Sequence, residues 1–556
     1  MQNKLLVYQV LPHLFGNRNQ TRKEFGSIAE NGCGKFSSFT LDRLKRLSLQ
    51  GFSHIWYTGV LRHATQTDYS DFNIPKQHAD VVKGKAGSPY AVVDYYDVDP
   101  DLADDVPCRM EEWQALIART HAAGLKVMMD FVPNHVAREY QSIAKPAGIH
   151  DLGEEDDVSK HFSVLNNFYY CWGKPLNLEN IVKHSSYVEQ PAKATGNDCF
   201  NATPQRNDWY ETIKLNYGVD YCDAGGCSEH FSPMPRTWMM MLDILLFWAS
   251  KGIDAFRCDM AEMVPAAFWQ YATSAVKQRF PHIVFIGEVY NPSLYRLYLQ
   301  SGFDYLYDKV GMYDCLRSVV RGECDATAIT KVWQATDDIH THMLYFLENH
   351  DEQRVASDFF AHDGQRALPA ATVALLLRTN PFMLYFGQEY GERGMDKEGF
   401  SGIDGRTTIF DYWALDTLQR AQAIPQRLTS AELQLQKCYE KLLRIAAEEE
   451  VIQEGEFFDL MYANFNRNDF DVHTEYAFIR HTKYDKLLVA VNFASEDKLT
   501  GVFLPAHAFD CCQLQECNVK ACDLMTNVMV ELQLRRDTAL YVNIPAFGMC
   551  ILKFSV

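Results

Sequence analysis

The sequence lacks any apolar run long enough to cross a membrane as a helix, which would need about 20 mostly apolar residues. Its longest candidate, "TWMMMLDILLFWASKGI" at residues 237–253, carries Asp243 in its middle and is typical of a buried amphipathic helix. The first residues, "MQNKLLVYQV", contain a short apolar run without a small-residue cleavage site, which indicates a first strand rather than a secretory signal. We therefore expect no membrane association.

Positive charge is also scarce, because 53 Lys and Arg residues stand against 72 Asp and Glu residues, giving a net charge of -19. Such a balance argues against nucleic acids and anionic membrane surfaces as partners. It suits a neutral substrate, and an aromatic content of 13% provides flat side chains on which such a ligand can stack. At 556 residues, the chain is long enough for two or three domains.

The chain has no C-x-x-C pair, although it contains 15 cysteines. Two clusters, Cys222 with Cys227 and the group from Cys511 to Cys522, lack a supporting pair of histidines. Ordinary thiols are therefore favoured over a zinc site. Scattered cysteines in an odd number indicate reduced thiols, so we expect a cytoplasmic protein.

The first 400 residues alternate short β-branched or aromatic runs with longer helical patterns. Parallel strands joined by helices have this order. Eight runs qualify as strands: "KLLVYQV", "FSHIWYT", "LKVMMDFV", "GIDAFRCD", "HIVFIGEV", "FDYLYD", "HMLYFLEN" and "PFMLYFG". We predict an α/β fold built on a (β/α)8 TIM barrel.

Acidic residues follow several of these runs, at intervals that match the barrel repeat. Asp259 and Glu288 lie 29 residues apart, and Asp351 lies 63 residues further on. A barrel of about 250 residues has a repeat of roughly 31 residues, so these carboxylates should meet on the rim at the carboxyl ends of the strands. Asp130 precedes Asp259 by 129 residues, which predicts an inserted lobe after the third strand.

The final hundred residues change to a period of two, in runs such as "EYAFIRH", "KLLVAVNF" and "ALYVNIP". That period predicts a C-terminal antiparallel β-sandwich domain. The predicted organisation is a first part of the barrel at residues 1–135, an inserted lobe at 136–228, the second part of the barrel at 229–450 and the all-β domain at 451–556.

Three carboxylates on one rim can serve as metal ligands, as partners in ion pairs, or as the acid and nucleophile of a glycoside hydrolase. Too few rim histidines are present to favour two-metal chemistry, and ion pairing explains poorly why three strands end in an acid. A retaining glycosidase needs one ionised carboxylate and one protonated carboxyl about 5–5.5 Å apart. Arg257 should keep Asp259 ionised, and the apolar run before Glu288 should favour its protonated form. Asp351 with His350 would then stabilise positive charge on the sugar ring.

Four motifs in order resemble those of the α-amylase family, glycoside hydrolase family 13. They are "DFVPNH" (Asp130 to His135), "GIDAFRCD" (Gly252 to Asp259), "IGEV" (Ile286 to Val289) and "FLENHD" (Phe346 to Asp351). The resemblance covers essentially the whole chain. It implies Asp259 as nucleophile, Glu288 as acid and base, and Asp351 as stabiliser of the transition state.

The same resemblance implies that Tyr90 is the aromatic platform under the sugar being cleaved. His135, Arg257 and His350 would contact that sugar or the catalytic acids. Where many members have a Lys-His pair after the nucleophile, this chain has Glu262 and Met263. Ser88 stands where a histidine often precedes the platform tyrosine. The acceptor side therefore differs, which puts typical endo-acting starch cleavage in doubt.

Many members also hold a structural calcium ion between barrel and lobe, and the matching positions here are Asn134 and Asn216, both neutral. Calcium prefers several oxygens that include carboxylates, so these two positions define only a candidate site, and the chemistry itself requires no cofactor. The expected activity is retaining hydrolysis of α-1,4 bonds in maltooligosaccharides or starch-derived glucans. A glucanotransferase, an isomerase or an α-1,6-glucosidase of the same family are the alternatives, and a non-enzymatic binding protein would not need all three acids.

Overall fold

The computed structural model describes residues 4–223 and 226–556 of the chain and contains a closed barrel of eight parallel strands. Each strand pairs with the next along the chain, and the eighth pairs with the first. The strands are β1 Leu6–Val10, β2 His54–Tyr57, β3 Lys126–Phe131, β4 Ala255–Cys258, β5 Val284–Gly287, β6 Tyr305–Tyr307, β7 Met343–Phe346 and β8 Phe382–Tyr385. All eight predicted strands are confirmed, and their apolar residues are buried because the barrel interior and the outer helices cover both faces.

Helices surround the barrel. The main ones are α1 Leu41–Leu49, α2 Arg109–Ala122, α3 Arg236–Ser250, α4 Ala266–Arg279, α5 Tyr295–Gln300, α6 Asp314–Val320, α7 Ala328–Ala335, α8 Leu368–Leu376, α9 Asp416–Gln422 and α10 Ser430–Glu448. Helix α3 is the predicted amphipathic helix, and its Asp243 is exposed. None of the helices in the described residues is long and apolar enough to span a bilayer.

Two long excursions leave the carboxyl end of the barrel. The first, between β2 and β3, contains an antiparallel pair, Leu61–His63 with Val92–Val98, that the sequence analysis did not predict. The second, between β3 and β4, is the predicted insertion and contains three short antiparallel pairs: His135–Ala137 with Thr212–Lys214, Tyr170–Cys171 with Ala192–Lys193, and Val219–Asp220 with Ser228–Glu229. We keep residues 136–228 as the proposed limits of the lobe, with 1–135 and 229–450 as the two parts of the barrel.

The strands of the C-terminal region are all antiparallel, as predicted, and two short helices, Met461–Asn464 and Ala506–Cys511, lie between them. A six-stranded sheet has the order Glu456–Asp459, Glu475–His481, Asp485–Asn492, Gly548–Ser555, Cys517–Asp523 and Val528–Leu534. A separate two-stranded pair joins Lys498–Leu504 to Thr538–Ile544. Helix α8 is buried along its whole length because it lies between the barrel and this sheet, which explains why it is apolar on every face. We propose residues 451–556 as this domain.

Candidate active site

Asp259 and Glu288 lie side by side because the hydrogen bonding of the barrel continues one residue beyond β4 and β5. The backbone N–H of Asp259 donates to the carbonyl oxygen of Phe131 (2.9 Å), and that of Glu288 donates to Cys258 (3.1 Å). Asp351 comes from the loop after β7. The side chains of Asp259 and Glu288 are 9% and 2% exposed, whereas that of Asp351 is 41% exposed and faces the open side of the rim.

A single buried guanidinium holds the two inner carboxylates. Arg257 Nη1 lies 2.7 Å from Asp259 Oδ1, and Nη2 lies 2.7 Å from Glu288 Oε2. Asp130 Oδ1 lies 3.6 Å from the same Nη1. Burial alone would lower the pKa of Arg257, but the charge of Glu288 and its other neighbours raise that pKa well above its usual value. Arg257 is therefore a permanent cation beneath three carboxyl groups.

The direction of the pKa shift of Asp259 differs from the sequence-based expectation. Burial raises the pKa of Asp259 well above its ordinary value, and the charge of Glu288 adds to the rise, while Arg257 opposes it. The expectation that Arg257 would dominate is wrong because the arginine is shared and the aspartate is desolvated. For Asp351, burial also acts to raise the pKa, but the nearby His350 outweighs it and brings the pKa to about 2.

Glu288 has two further donors besides Arg257. The backbone N–H of Met260 donates to Oε2 (2.8 Å), and the hydroxyl of Tyr290 donates to Oε1 (2.5 Å). Tyr290 is in turn fixed by Glu262, whose Oε2 accepts the backbone N–H groups of Tyr290 (3.0 Å) and Asn291 (2.9 Å). The residue that replaces the lysine of many family members therefore holds the loop that carries Tyr290.

Tyr90 and His350 form a stacked pair beside Asp130. Their ring centroids are 5.1 Å apart at an interplanar angle of 25°, and the Tyr90 hydroxyl lies 2.6 Å from His350 Nε2. The amide of Gln9 donates to His350 Nδ1 (2.8 Å), so Nε2 carries the proton and points toward Tyr90 and Asp351. The structure thus brings Tyr90 and His350 together beside Asp130 and Asp351, and their contact with a sugar stays a prediction.

Three residues of this network were not among the site residues predicted from the sequence. Gln9 and Trp56 come from β1 and β2, and Asp130 is the second-last residue of β3. Trp56 Nε1 donates to Asp130 Oδ2 (3.1 Å), which orients that carboxylate toward Tyr90. The signal for Gln9 is its position as the lone amide in the apolar run "LLVYQV", since a polar residue inside a buried strand needs a partner.

His135 lies next to this group rather than in it. It is buried, hydrogen-bonds the backbone of Tyr90, and its ring lies 5.2 Å from that of Trp209. Burial, with a smaller contribution from Lys214, lowers the pKa of His135 to about 3, so it is neutral. Its contacts support the segment that carries Tyr90.

The two asparagines do not fit the candidate calcium site. Asn134 Oδ1 accepts a hydrogen bond from the ammonium of Lys214 (2.5 Å), and Lys214 also pairs with Asp198 (2.7 Å). Asn216 Oδ1 accepts the backbone N–H of Gly218 (2.8 Å). A buried cationic side chain already occupies the oxygen that a calcium ion would need, and the second oxygen is engaged elsewhere. The chemistry described below therefore involves no metal ion.

A cavity of about 440 Å³ opens beside these strands. It is lined by Asp198, Val219, Tyr221, Cys227, Glu229, Glu262, Met263, Val264, Pro265, Asn291 and Leu294. Glu262 and Met263, the positions that depart from the family pattern, therefore lie at this cavity, next to the segment that carries Asp259. The wall is formed jointly by the inserted lobe and the barrel.

The structure is a barrel whose rim carries three acids, a buried arginine and a stacked tyrosine. These features are those of the glycosidase class of (β/α)8 proteins. A family model for the alpha amylase catalytic domain matches residues 9–442. The chain belongs to the alpha-amylase family.

Its similarity to individual members is low. Alpha-amylase MalA of Haloarcula japonica is 27% identical over 360 residues, which are 64% of this chain and 41% of that protein. Alpha-amylase 3 of Dictyoglomus thermophilum is 24% identical over 343 residues, 59% of each chain. This chain therefore matches less than two thirds of the length of either relative. The crystal structure of a noncanonic maltogenic alpha-amylase, AmyB from Thermotoga neapolitana, shares the fold with a TM-score of 0.64 at 18% identity, covering 100% of this chain and 99% of that one.

Proposed function

We propose that this protein is a retaining glycoside hydrolase that cleaves α-1,4-glucosidic bonds of maltooligosaccharides or starch-derived glucans. The observation that carries the proposal is the sharing of Arg257 by Asp259 and Glu288, at 2.7 Å from each. One cation can then stabilise whichever of the two carboxyls is ionised as the proton moves. In a retaining mechanism the negative charge alternates between the two residues, because Asp259 is ionised before it attacks, and Glu288 is ionised once it has given up its proton and Asp259 is esterified.

In this mechanism, Asp259 Oδ attacks the anomeric carbon while Glu288 gives a proton to the departing oxygen. Water, activated by Glu288 as a base, then releases the sugar from Asp259. Asp351 is the most exposed of the three acids, and its pKa of about 2 keeps it charged, so it stabilises the cationic ring. Because the pKa of Asp259 is raised, we expect activity to be lost on acidification at a pH above the ordinary pKa of an aspartate.

The substrate would stack on Tyr90, with His350 and Arg257 contacting the sugar or the acids and His135 supporting the platform. The leaving part of the glucan would enter the cavity that Glu262 and Met263 line. Glu262 and Met263 have neither an ammonium nor an imidazole group to donate to that sugar. The carboxylate of Glu262 is in addition already engaged by two backbone N–H groups. We propose weaker binding of the leaving chain than a Lys-His pair would give, and hence short substrates.

No cofactor is needed for these steps, and a neutral glucan is the proposed partner. A net charge of -19 disfavours nucleic acid and anionic membrane partners. The cysteines of the described residues are free thiols, which is compatible with the cytoplasm, the location that we propose.

The test is maltoheptaose hydrolysis followed by proton NMR, comparing the wild type with Asp259→Asn. We expect shorter products that appear first as the α-anomer, and a loss of turnover of at least about a thousandfold in the variant. Asp243→Asn, an exposed acid on α3, serves as the control and should keep full activity. Products that first appear as the β-anomer would contradict retention, and products longer than the substrate would indicate a transferase. Substantial activity of Asp259→Asn would show that the nucleophile is misassigned.

A further inference from the structure

A large cavity lies outside the barrel, away from the acidic rim. It has a volume of about 1020 Å³ and is bordered by helices α1 and α10. None of the proposed active-site residues lines it. We call it the α1–α10 groove. A second cavity of about 410 Å³ continues it past Gly16 and Arg18 toward Arg427.

The groove is basic although the whole chain is acidic. Arg18, Arg43 and Arg46 line it, and none of the ion pairs within residues 4–223 and 226–556 involves these three side chains. Arg43 donates to the carbonyl oxygen of Ser38 (2.6 Å), which fixes its guanidinium at the groove wall. Burial, followed by repulsion from Arg18 and Arg46, lowers the pKa of Arg43 from its usual value.

The acids of the groove do not neutralise these arginines. Glu440 accepts hydrogen bonds from Gln50 (3.1 Å) and Gln436 (3.0 Å), and Asp42 forms no ion pair with any other residue that the structure describes. A fourth lining arginine, Arg444, pairs with Glu448 on its own helix. An uncompensated cluster of guanidinium groups in a concave site is the arrangement with which proteins recognise phosphate groups.

The remaining lining is suited to hydroxyl groups. Gln50, Gln422, Gln426 and Gln436 contribute side-chain amides. The Nε2 atom of Gln422 is buried and has no hydrogen-bond partner among the described residues, which costs free energy unless a ligand supplies an acceptor. Phe15 and Tyr390 add aromatic surface on which a sugar ring can stack.

We propose that the α1–α10 groove binds the phosphate monoester of a sugar. The arginines bind the phosphate, and the amides and aromatic rings bind the sugar hydroxyls and ring face. The ligand comes from one of two sources, a free sugar phosphate or a phosphoryl group on a glucan chain. This binding site is separate from the proposed active site and does not depend on the activity assigned there.

Isothermal titration calorimetry of the full chain with glucose 6-phosphate tests the proposal. We expect saturable binding of one equivalent that weakens as salt rises, because exposed charges are screened. The double variant Arg18→Gln, Arg46→Gln should bind at least about tenfold more weakly, a loss expected for removing two charge-assisted contacts. Lys45→Gln is the matched control, since Lys45 is exposed on the same helix but does not line the groove.

Two further titrations complete the experiment. A phosphorylated maltooligosaccharide whose binding is tenfold tighter than that of glucose 6-phosphate, with the gain lost in the double variant, identifies the glucan-bound source. Equal affinity of the two probes for the groove identifies the free sugar phosphate. Both Arg18 and Arg46 are exposed, so the double variant should keep the melting temperature of the wild type. Failure of the wild type to bind either phosphorylated probe at millimolar concentration, or equal binding by a folded double variant, would overturn the proposal.

Discussion

Arg257 determines how the three inner carboxyl groups of the rim share their protons. It is fully buried, it contacts Asp259 and Glu288 at equal distance, and it lies 3.6 Å from Asp130. One positive charge cannot neutralise three buried carboxylates, so at least one carboxyl is favoured in its protonated form.

Tyr290 provides a residue-scale prediction, because its hydroxyl donates to Glu288 Oε1. Such a bond favours the ionised carboxylate and holds the carboxyl group in one orientation. We expect Tyr290→Phe to lower kcat about tenfold or more with little change in KM, because the carboxyl group loses the contact that orients it. The measurement is kcat and KM for maltoheptaose.

Tyr298→Phe is the control for that experiment. The Tyr298 hydroxyl donates to backbone carbonyls of Glu262 and Val264 in the same region but does not contact Glu288. It should leave kcat close to that of the wild type. A Tyr290→Phe enzyme with wild-type kcat would assign the tyrosine a packing role only.

At this scale, sequence reasoning located the acids but not their protonation. Asp259 and Glu288 could be predicted because each directly follows a recognisable strand. The pKa of Asp259 could not, since it depends on burial and on a cation shared with another strand. Tyr290 was missed because its role arises from a loop conformation that Glu262 fixes across 28 residues of sequence.

At the scale of elements, the segment after β7 places two of its acids, Asp351 and Glu348, in different surroundings. In "FLENHDEQR", Asp351 faces the rim, while Glu348 turns inward and pairs with Arg354 at 2.9 Å. Both side chains of that pair are buried, and burial raises the pKa of Glu348 to about 7 against the opposing effect of Arg354. Asn349 Oδ1 accepts the backbone N–H groups of Asp351 and Glu352 and so fixes the turn between them.

Breaking this pair should destabilise the loop and the fold. Glu348→Gln leaves the Arg354 guanidinium buried without its counter-ion, and we expect the free energy of unfolding to fall by about 3 kcal/mol. Denaturant unfolding measures the loss. The control is Glu448→Gln, which breaks the exposed pair with Arg444 on α10 and should cost less than about 1 kcal/mol. Equal effects of the two substitutions would show that the buried pair has no special role.

The inserted lobe leads to a prediction about metal removal. Because the Lys214 ammonium occupies the oxygen of Asn134, chelation with EDTA should leave the melting temperature unchanged. Lys214→Met should lower the free energy of unfolding by about 1–3 kcal/mol, since it leaves a buried acceptor unpaired. Lys160→Met, at an exposed position of the same lobe, is the control. A drop in melting temperature with EDTA that calcium chloride reverses would show that the lobe binds calcium.

At the scale of the whole molecule, the barrel and the antiparallel C-terminal sheet could be predicted because their patterns are periodic. The first excursion could not, since the partners in its strand pair, Leu61–His63 and Val92–Val98, lie about thirty residues apart with no hairpin signal between them. That excursion carries Tyr90 into the site. Its position was available only from the family resemblance.

The stability of the whole fold should depend on pH through buried histidines such as His54 on β2. Burial, with repulsion from Lys126, lowers the pKa of His54 from 6.5 to about 3, so the folded chain keeps it neutral. The unfolded chain takes up a proton below pH 6.5, and the stability due to the neutral histidine is present above that pH and is lost as pH falls from 6.5 toward 3. Between about pH 7.5 and about pH 5, the free energy of unfolding of the wild type should fall by about 2 kcal/mol more than that of His54→Gln. Denaturant unfolding at the two pH values measures the difference. The control is His150→Gln, at an exposed position, which should follow the wild type. Parallel losses of stability in the wild type and in His54→Gln would show that the fold does not hold His54 neutral.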